Sequence, residues 1–532
     1  MEASAMLREV LLGKKSFGGV DMAKPVHFLA MDLGAESGRG MLGTLDKGKL
    51  FLSEVHRFLT GAEPVPTIYP EKVTSQLGSD QSLLWDFVRF WAEIKTAIKK
   101  VVRQQKKELS GIGVDTWGVD FALLDRNGGL ISSPYNYRDT RTNGMMEEAF
   151  KRMPKEKIFE YTGIQFMTIN TLYHLLSLVV NKSPILEIAD KFLTVPDLLN
   201  YWFTGKAVAE FTEASTTQCF DPRKRNWSDE VLSAMGIPRR IFPQIIPPGT
   251  VIGPMRPSVA EEVGANIPII APACHDTSSA IAAVPAKGKD FAWISSGTWS
   301  IVGINTPEPV INEQSFKYNL TNEGGVNGTY RFSKNVMGLW VVQNCRAQWK
   351  DDGKEYSYDE LTKMAAEAPL LKSIVDPDYE GFLRPGKAAD LVKEYCQKTK
   401  QPIPQTDGEV VRAVLQGLAL RYRYVLESIE KMSNRHMDSI HIVGGGTQNK
   451  LLSQFTADAL GRKVVTGPVE ATAIGNLIVQ AIATGAIPSW QAGVEVIEKS
   501  FEILTFIPGD NRPWNEAYDR FLSYLEKIQL AF

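Results

Sequence analysis

The sequence predicts an α/β protein built of two large domains with a cleft between them. Its 532 residues exceed what one ordinary hydrophobic core holds. A strand, a short polar turn containing glycine and a second strand occur near the head of each half, at 26–45 and at 291–304. Other strand-like runs lead into helices with one apolar face, a pattern typical of α/β domains.

The first half is expected to open with three consecutive strands. Apolar runs bounded by turn residues predict the strands of this half at 26–31, 40–45, 50–58, 111–116, 119–125 and 268–273. Large apolar side chains at helical spacing over 83–102 predict a helix with one core face. Residues 140–260 are interpreted as an inserted region of helices and loops, which ends in turns rich in proline and glycine.

The second half repeats the opening pattern and then alternates strands with helices. Its predicted strands lie at 291–295, 299–304, 440–443 and 463–466. An amphipathic helix follows 440–443, and another is predicted at 472–484. We expect a disordered leader or start-site artefact at 1–24, domains at 25–286 and 287–510, and a C-terminal helix at 511–532.

Composition excludes several classes of protein. The 59 Lys and Arg residues nearly balance the 61 Asp and Glu residues, which argues against nucleic-acid binding. No apolar run approaches the ~18 residues that a membrane helix needs. The four cysteines lack metal-ligand spacing, so we interpret them as reduced thiols of a cytoplasmic protein without a disulfide.

A polar hairpin turn at 32–39 has the composition of a phosphate-binding turn. Its small residues allow several backbone N–H groups to point into one concavity, which favours an anion. Ser37 adds a hydroxyl, Arg39 a positive charge, and Asp32 a carboxylate that can hold Mg²⁺ through water. An ordinary hairpin with an exposed ion pair is the alternative interpretation.

The segment His275-Asp276-Thr277 follows an apolar strand and precedes a run of small residues. One interpretation is that Asp276 or Thr277 only caps a helix. The functional interpretation makes Asp276 a general base that takes a proton from a hydroxyl attacking phosphorus. Such a base must lie at the domain boundary, where a strand end of this kind is expected.

Two further glycine-containing turns suit a nucleotide. Gly297 and Thr298 form a second polar turn between strands, facing the first in a two-domain arrangement. The glycines at 444–446 let the backbone approach a flat ligand and precede a helix N-terminus that favours phosphate.

The polar turn at 115–120, at another strand end, is suited to binding a small hydroxylated ligand. These parts predict an actin-like ATPase architecture, whereas periodicity alone equally allows two unrelated α/β domains.

Taken together, the motifs resemble the FGGY family of carbohydrate kinases. The segments that carry the resemblance occur in the expected order, at 115–120, 137–142, 163–166, 275–277, 295–299, 321–325, 334–340 and 441–446. The resemblance implies two actin-like ATPase (ribonuclease H-like) domains that close on their substrates. It also implies Mg²⁺-dependent transfer of phosphate from ATP to O1 of L-rhamnulose, in a cytoplasmic monomer or small homo-oligomer.

The resemblance also implies roles for single residues. Asp276 matches the family's proton acceptor. Positions that match sugar contacts are Gly118, His275, Asp276, Thr277 and Asn335. Positions that match nucleotide contacts are Ala35, Glu36, Ser37, Gly38, Arg39, Thr298, Gln343 and Gly445.

Glu36 departs from the family pattern, because a small residue is more usual there. A carboxylate facing ATP would repel the phosphates, so we expect Glu36 to point to solvent or to Arg39. Two rival functions remain open: a kinase of this family for L-fuculose, xylulose or glycerol, and a non-catalytic actin-like nucleotide-binding protein. The joint presence of Asp276 and Gly118 argues against the non-catalytic alternative.

Overall fold

The structure, a computed structural model, describes residues 24–66, 81–383 and 387–529. The expected leader at 1–24 therefore lies outside the described residues, except for its last residue. The final three residues of the C-terminal helix expected at 511–532 also lie outside them. The rest of that helix forms, from Arg512 to Gln529.

The strands are short except around the two predicted hairpins. In the first half they are β1 Val26–Leu33, β2 Ser37–Asp46, β3 Lys49–Leu59, β4 Glu63–Pro66, β5 Gln81–Leu84, β6 Gly111–Thr116, β7 Phe121–Leu124, β8 Lys191–Thr194, β9 Val208–Glu210, β10 Phe220–Asp221, β11 Asn226–Trp227, β12 Gln244–Ile246, β13 Thr250–Pro254 and β14 Pro268–Ala271. In the second half they are β15 Phe291–Ser296, β16 Trp299–Thr306, β17 Thr321–Gly324, β18 Tyr330–Met337, β19 Ser439–Val443, β20 Lys463–Thr466 and β21 Leu504–Phe506.

The helices surround the sheets and fill the inserted region. Those of the first half are α1 Phe87–Lys99, α2 Met145–Arg152, α3 Lys155–Thr162, α4 Thr171–Val180, α5 Ile185–Ile188, α6 Val195–Thr204, α7 Phe211–Ala214, α8 Asp229–Met235, α9 Pro257–Val263 and α10 Asp276–Ala282. Those of the second half are α11 Glu313–Lys317, α12 Trp340–Asp351, α13 Tyr358–Glu367, α14 Ala388–Lys398, α15 Asp407–Ser433, α16 Lys450–Leu460, α17 Ala471–Ala483, α18 Trp490–Ser500 and α19 Arg512–Gln529. In the described part of the chain, every helix is too short or too polar to cross a membrane.

Each half is built on a sheet with the same order of five strands. In the first half the neighbours are β3-β2-β1-β6-β14, and in the second they are β18-β16-β15-β19-β20. In both sheets the first three strands are antiparallel and the remaining two are parallel to the central strand. This duplication confirms the predicted α/β fold class of two actin-like ATPase domains of ribonuclease H-like topology.

The two halves meet where α10, after β14, crosses α17, after β20. Gly475 lies at the crossing, since a Cβ there would be 1.8 Å from the carbonyl oxygen of Ser279. α17 also packs against β1 and β6 of the first sheet. Gly113 on β6 leaves room for it, because a Cβ there would be 2.5 Å from Asn476 Oδ1. A helix of the second half therefore reaches the strand ends of the first.

Several predicted boundaries differ from the observed ones by one to four residues, and two of these differences have a clear physical cause. The helix predicted from residue 83 begins at Phe87, because the residues up to Leu84 form β5. Asp86 caps this helix by accepting a hydrogen bond from the Arg89 N–H. The strand predicted from 119 begins at Phe121, because the Asp120 N–H bonds to the Gly118 carbonyl and closes a turn.

Candidate active site

Two carboxylates stand side by side at the ends of parallel strands in the first half. Asp32 on β1 is in register with Asp115 on β6, and both side chains are buried. Burial raises the pKa of both groups, and the negative charge of Asp32 raises the pKa of Asp115 further. From the sequence, Asp115 belongs to the turn at 115–120, which is predicted to bind a hydroxylated ligand. In the structure its carboxylate lies instead beside Asp32, in the turn predicted to bind phosphate.

Arg39 links this pair of carboxylates to the second half of the chain. Its guanidinium donates to Asp32 Oδ2 at 2.6 Å and also pairs with Glu470, the residue before α17. Its positive charge is therefore shared by two carboxylates. Glu36 is exposed, which is the first of the two orientations we expected. Gly38 packs beneath Phe58, whose ring lies 2.4 Å from where a Cβ would be.

Asn476 on α17 holds one oxygen of Asp115. Its amide donates to Asp115 Oδ2 at 2.5 Å and to the Gly113 carbonyl at 3.2 Å. Among the described residues, Asp115 Oδ1 is buried without a hydrogen-bond partner. A carboxylate with one oxygen bonded and the other without a partner can hold a metal-bound water. Asn476 was missed by sequence reasoning, because nothing near it in the chain indicates this contact.

Asp276 is the first residue of α10, at the carboxyl end of β14. Its side chain is 33 % exposed, accepts a hydrogen bond from Thr277 Oγ1 at 3.1 Å, and lies 3.6 Å from His275 Nε2. Burial and the negative charge of Asp32 raise its pKa to about 6. Within the described residues the N-cap of α10 is His275, with no side-chain capping bond, so the capping interpretation of Asp276 is not realised.

The turn after β6 brings Gly118 next to His275. A Cβ on Gly118 would lie 3.1 Å from Thr216 and 3.3 Å from His275 Nε2. Val119 has a φ of 71°, which is rare and strained for a β-branched residue. Its N–H donates to Thr216 Oγ1 and its carbonyl accepts from Thr171 Oγ1, so two hydroxyls hold the strained backbone in place.

Two other side chains of this turn, those of Trp117 and Asp120, stabilise the fold. Trp117 is buried and lies 4.2 Å from Trp85, ring centroid to ring centroid. Both indole N–H groups donate to Asp120 Oδ2, which also accepts the Tyr137 N–H. Within the turn at 115–120, Gly118 and Val119 are the partly exposed residues, and Gly118 is the one next to His275.

Asn335 on β18 approaches the first half from the opposite side. Its backbone and side-chain N–H groups both donate to Gln165 Oε1 at 3.3 Å. The other positions that match sugar contacts in the family belong to the first half, and they are Gly118, His275, Asp276 and Thr277. The predicted set is therefore divided between the two halves, with Gln165 as a neighbour that sequence reasoning did not assign a role.

In the second half, Thr298 and Gln343 match nucleotide contacts, and they lie on a turn and a helix that are hydrogen-bonded to each other. The turn at Gly297 and Thr298 is tied to the start of α12, because its carbonyls accept the Leu339 and Trp340 N–H groups. Gln343 lies in the first turns of that helix. A cavity of about 510 Å³ adjoins the glycine-rich segment and is lined in part by Thr447, Gln448 and Glu470.

The three glycines at 444–446 have different roles. Gly444 has a φ of 88°, and a Cβ on it would lie 2.9 Å from the Ser296 carbonyl oxygen. A Cβ on Gly446 would lie 2.1 Å from Ser296 Oγ. Around Gly445, by contrast, the described structure has no atom within 4 Å of the Cβ position. Two glycines thus allow close packing, and Gly445 faces open space.

No group of three or more His, Cys, Asp or Glu side chains within 24–66, 81–383 and 387–529 is placed to bind a metal directly. The donors available for Mg²⁺ are the carboxylates of Asp32 and Asp115, an oxygen set of the kind this ion prefers. The four cysteines are buried free thiols.

Sequence comparison finds two matching domain models and several similar proteins. Residues 65–283 match the N-terminal domain of the FGGY family of carbohydrate kinases, and residues 292–484 match its C-terminal domain. A rhamnulokinase of Bacteroides thetaiotaomicron is 40% identical over 93% of this chain and 98% of its own length. One of Oceanobacillus iheyensis is 40% identical over 90% of this chain and 97% of its own length.

Solved structures share the two-domain fold at lower identity. A gluconate kinase from Lactobacillus acidophilus superposes with a TM-score of 0.76 at 17% identity, covering 94% of this chain and 97% of that one. A xylulose kinase from Rhodospirillum rubrum does so with a TM-score of 0.76 at 17% identity, covering 95% of this chain and 99% of that one. From the matched domains and the extent of these similarities, this chain belongs to the FGGY family of carbohydrate kinases.

Proposed function

We propose that the protein transfers the γ-phosphate of ATP to O1 of L-rhamnulose, giving L-rhamnulose 1-phosphate. The substrate is inferred from rhamnulokinases that are 36–40% identical over about nine-tenths of the chain. The observation that carries the chemistry is the position of Asp276, a partly exposed carboxylate beside His275 and Gly118. A carboxylate there can accept the proton of an attacking hydroxyl.

In the proposed mechanism, the sugar lies against Gly118, His275, Thr277 and Asn335. Asp276 accepts the O1 proton as O1 attacks the γ-phosphorus. Closing the two halves over the nucleotide would exclude water, a competing nucleophile. The sugar positions belong to both halves, and Asn335 already bonds Gln165 of the first half.

The nucleotide is proposed to lie between the two hairpin turns. The contacts would come from Ala35, Glu36, Ser37, Gly38, Arg39, Thr298, Gln343 and Gly445, with the exposed Glu36 contributing through its backbone. Asp32 and Asp115 would hold Mg²⁺ through water, and the buried, unpaired Oδ1 of Asp115 fits this role. When bound, Mg²⁺ would neutralise charge on the transferred phosphoryl group.

A panel of acceptors tests the proposed substrate. Purified protein is assayed with ATP and Mg²⁺ on L-rhamnulose, L-fuculose, D-xylulose and glycerol by following ADP release. We expect kcat/KM for L-rhamnulose to exceed the others by at least about tenfold, because a site that hydrogen-bonds sugar hydroxyls rejects analogues that misplace them. Phosphorus NMR of the product should show a 1-phosphate.

Other outcomes of this panel would contradict the proposal. A strong preference for another acceptor would assign the protein to that substrate within the same family. ATP hydrolysis that is independent of sugar and accompanies nucleotide-driven assembly would instead favour the non-catalytic actin-like alternative.

The pKa of Asp276 predicts how kcat/KM for the sugar falls at low pH. A general base must be ionised, and this carboxyl has a pKa of about 6 instead of the ordinary 3.8. We expect kcat/KM for the sugar to be constant above pH ~7 and to fall about tenfold per pH unit below pH ~6. Saturating Mg²⁺ would favour the ionised forms of Asp32 and Asp115, the carboxylates proposed to hold it, so the fall near pH 6 is assigned to Asp276. A profile that stays flat down to pH ~5 would contradict the assignment.

A further inference from the structure

A fully buried arginine lies behind the sugar side of the cleft. Arg331 on β18 is 0% exposed, although arginine is rarely buried without partners. Its Nη2 donates to His275 Nδ1 at 2.7 Å and to Glu323 Oε2 at 2.6 Å. Its Nε donates to the Gly324 carbonyl at 3.1 Å. The β17–β18 hairpin of the second half thus contacts the imidazole of the first.

This contact determines which imidazole nitrogen carries the proton. A guanidinium has only donors and is not deprotonated in proteins, so His275 Nδ1 must act as the acceptor. The proton of the neutral imidazole then resides on Nε2. We propose that Arg331 is a positioning residue that keeps His275 in the Nε2–H form and so presents a neutral hydrogen-bond donor to a sugar oxygen.

The Nε2–H group faces the space assigned to the sugar. Nε2 lies 3.3 Å from the Cβ position of Gly118 and 3.6 Å from Asp276 Oδ1, which is too long for a hydrogen bond. The donor is therefore available to an oxygen next to the hydroxyl that is phosphorylated. Since Nε2 already carries a proton, His275 does not compete with Asp276 as the base. This inference rests on the proposed sugar-kinase function and adds a requirement for an acceptor oxygen in the substrate.

The surroundings of His275 keep the imidazole neutral. Burial and the positive charge of Arg331 hold its pKa well below the ordinary value. The charged groups beside its ring are Asp276, Glu323 and Arg331. Glu210 accepts the N–H of the preceding Cys274, and the charges of Asp115 and Glu213 interact with that of Asp276. Glu323 is the nearest possible alternative partner, with Oε2 3.5 Å from Nδ1.

The variant Arg331→Met tests the assignment. Without the guanidinium, Glu323 becomes the partner of Nδ1, the proton moves to Nδ1, and Nε2 turns a lone pair toward the sugar oxygen. We expect KM for the sugar to rise on the order of tenfold at pH 8, with a smaller change in kcat. The variant also loses the positive charge that lowers the pKa of His275 and leaves the Glu323 carboxylate as its partner, so the imidazole takes up a second proton more readily as the pH falls. This restores the Nε2–H, and the difference from the wild type should shrink at pH 6.

A matched control separates this effect from the loss of a buried arginine. Arg412 is also buried and donates to the carbonyls of Ala365 and Ala366, away from the imidazole. The variant Arg412→Met should lose stability and keep a KM for the sugar near that of the wild type at both pH values. An Arg331→Met enzyme whose KM is unchanged, or raised equally at pH 6 and pH 8, would overturn the proposal.

A second measurement covers the case in which Arg331→Met does not fold. Nitrogen NMR of wild-type protein labelled with ¹⁵N-histidine, with His275 assigned from its loss in His275→Gln, should show a protonated Nε2. A protonated Nδ1 would overturn the proposal.

The kinetic measurements use whichever sugar the wild type phosphorylates best. Failure on L-rhamnulose therefore counts against the proposed function, and a flat pH response counts against the role of Arg331.

Discussion

Replacing Asp276 with asparagine should lower kcat by roughly 10²–10⁴-fold while the protein still folds and binds sugar. Asparagine has the same shape, and its carbonyl can still accept the hydrogen bond of Thr277, but it cannot take a proton. The expected loss is that of a positioned general base. The measurements are single-turnover phosphorylation for the chemical step and calorimetry for sugar binding.

The stability of Asp276→Asn separates lost chemistry from lost folding. Because burial raises the pKa of Asp276, the ionised form is disfavoured in the folded state and the destabilising effect grows as pH rises through about 6. Removing the charge should therefore leave Tm at pH 8 equal to or above that of the wild type.

Asp197 provides the matched control. It is also buried with its pKa raised, to about 7, but it bonds Thr194 and the Glu210 N–H outside the cleft. Asp197→Asn should retain turnover near that of the wild type. If Asp276→Asn keeps near-normal turnover, Asp276 is not the base.

Replacing Gly475 with alanine should both destabilise the protein and reduce turnover. The added Cβ would lie 1.8 Å from the Ser279 carbonyl oxygen, so α10 and α17 must move apart. Alanine favours a helix over glycine by about 1 kcal/mol, whereas overpacking against backbone costs about 1–3 kcal/mol or more. The steric term should win, giving a lower free energy of unfolding.

The loss of turnover follows from what these helices carry. Asp276 begins α10, and Asn476 on α17 holds Asp115. Denaturant unfolding and kcat are measured together, with Gly493→Ala as the control. A Cβ on Gly493 would lie 3.0 Å from a side-chain methyl of Ile478, which can move. An unchanged midpoint and kcat for Gly475→Ala would show that the crossing tolerates a Cβ.

Much of the fold could be predicted because its signals are local. A buried strand, a glycine-containing turn and a second strand specify a hairpin within about twenty residues, and both hairpins form where expected. The segment at 275–277 follows its strand for the same reason. The predicted starts of the helix at 83 and of the strand at 119 were wrong, because a cap and a strained turn override apolar periodicity.

The environments of the charged groups could not be predicted in this way. Arg39 was expected to serve phosphate, and the structure shows its charge shared by Asp32 and Glu470. Asp115 was grouped with the sugar turn, and parallel register places it beside Asp32. Each assignment depended on which strand or helix lies next to the residue, which short-range patterns do not encode.

The sequence by itself determined the two-domain α/β architecture, the polar turns at strand ends and the position of the candidate base. These follow from short-range steric preferences and the spacing of apolar residues. Only the tertiary structure decided how the groups are held. Asn476 meets Asp115 across 361 residues of chain, and Arg331 meets His275 across 56. A hydrogen bond requires partners within about 3 Å, and that proximity is set by how two sheets and two crossing helices pack.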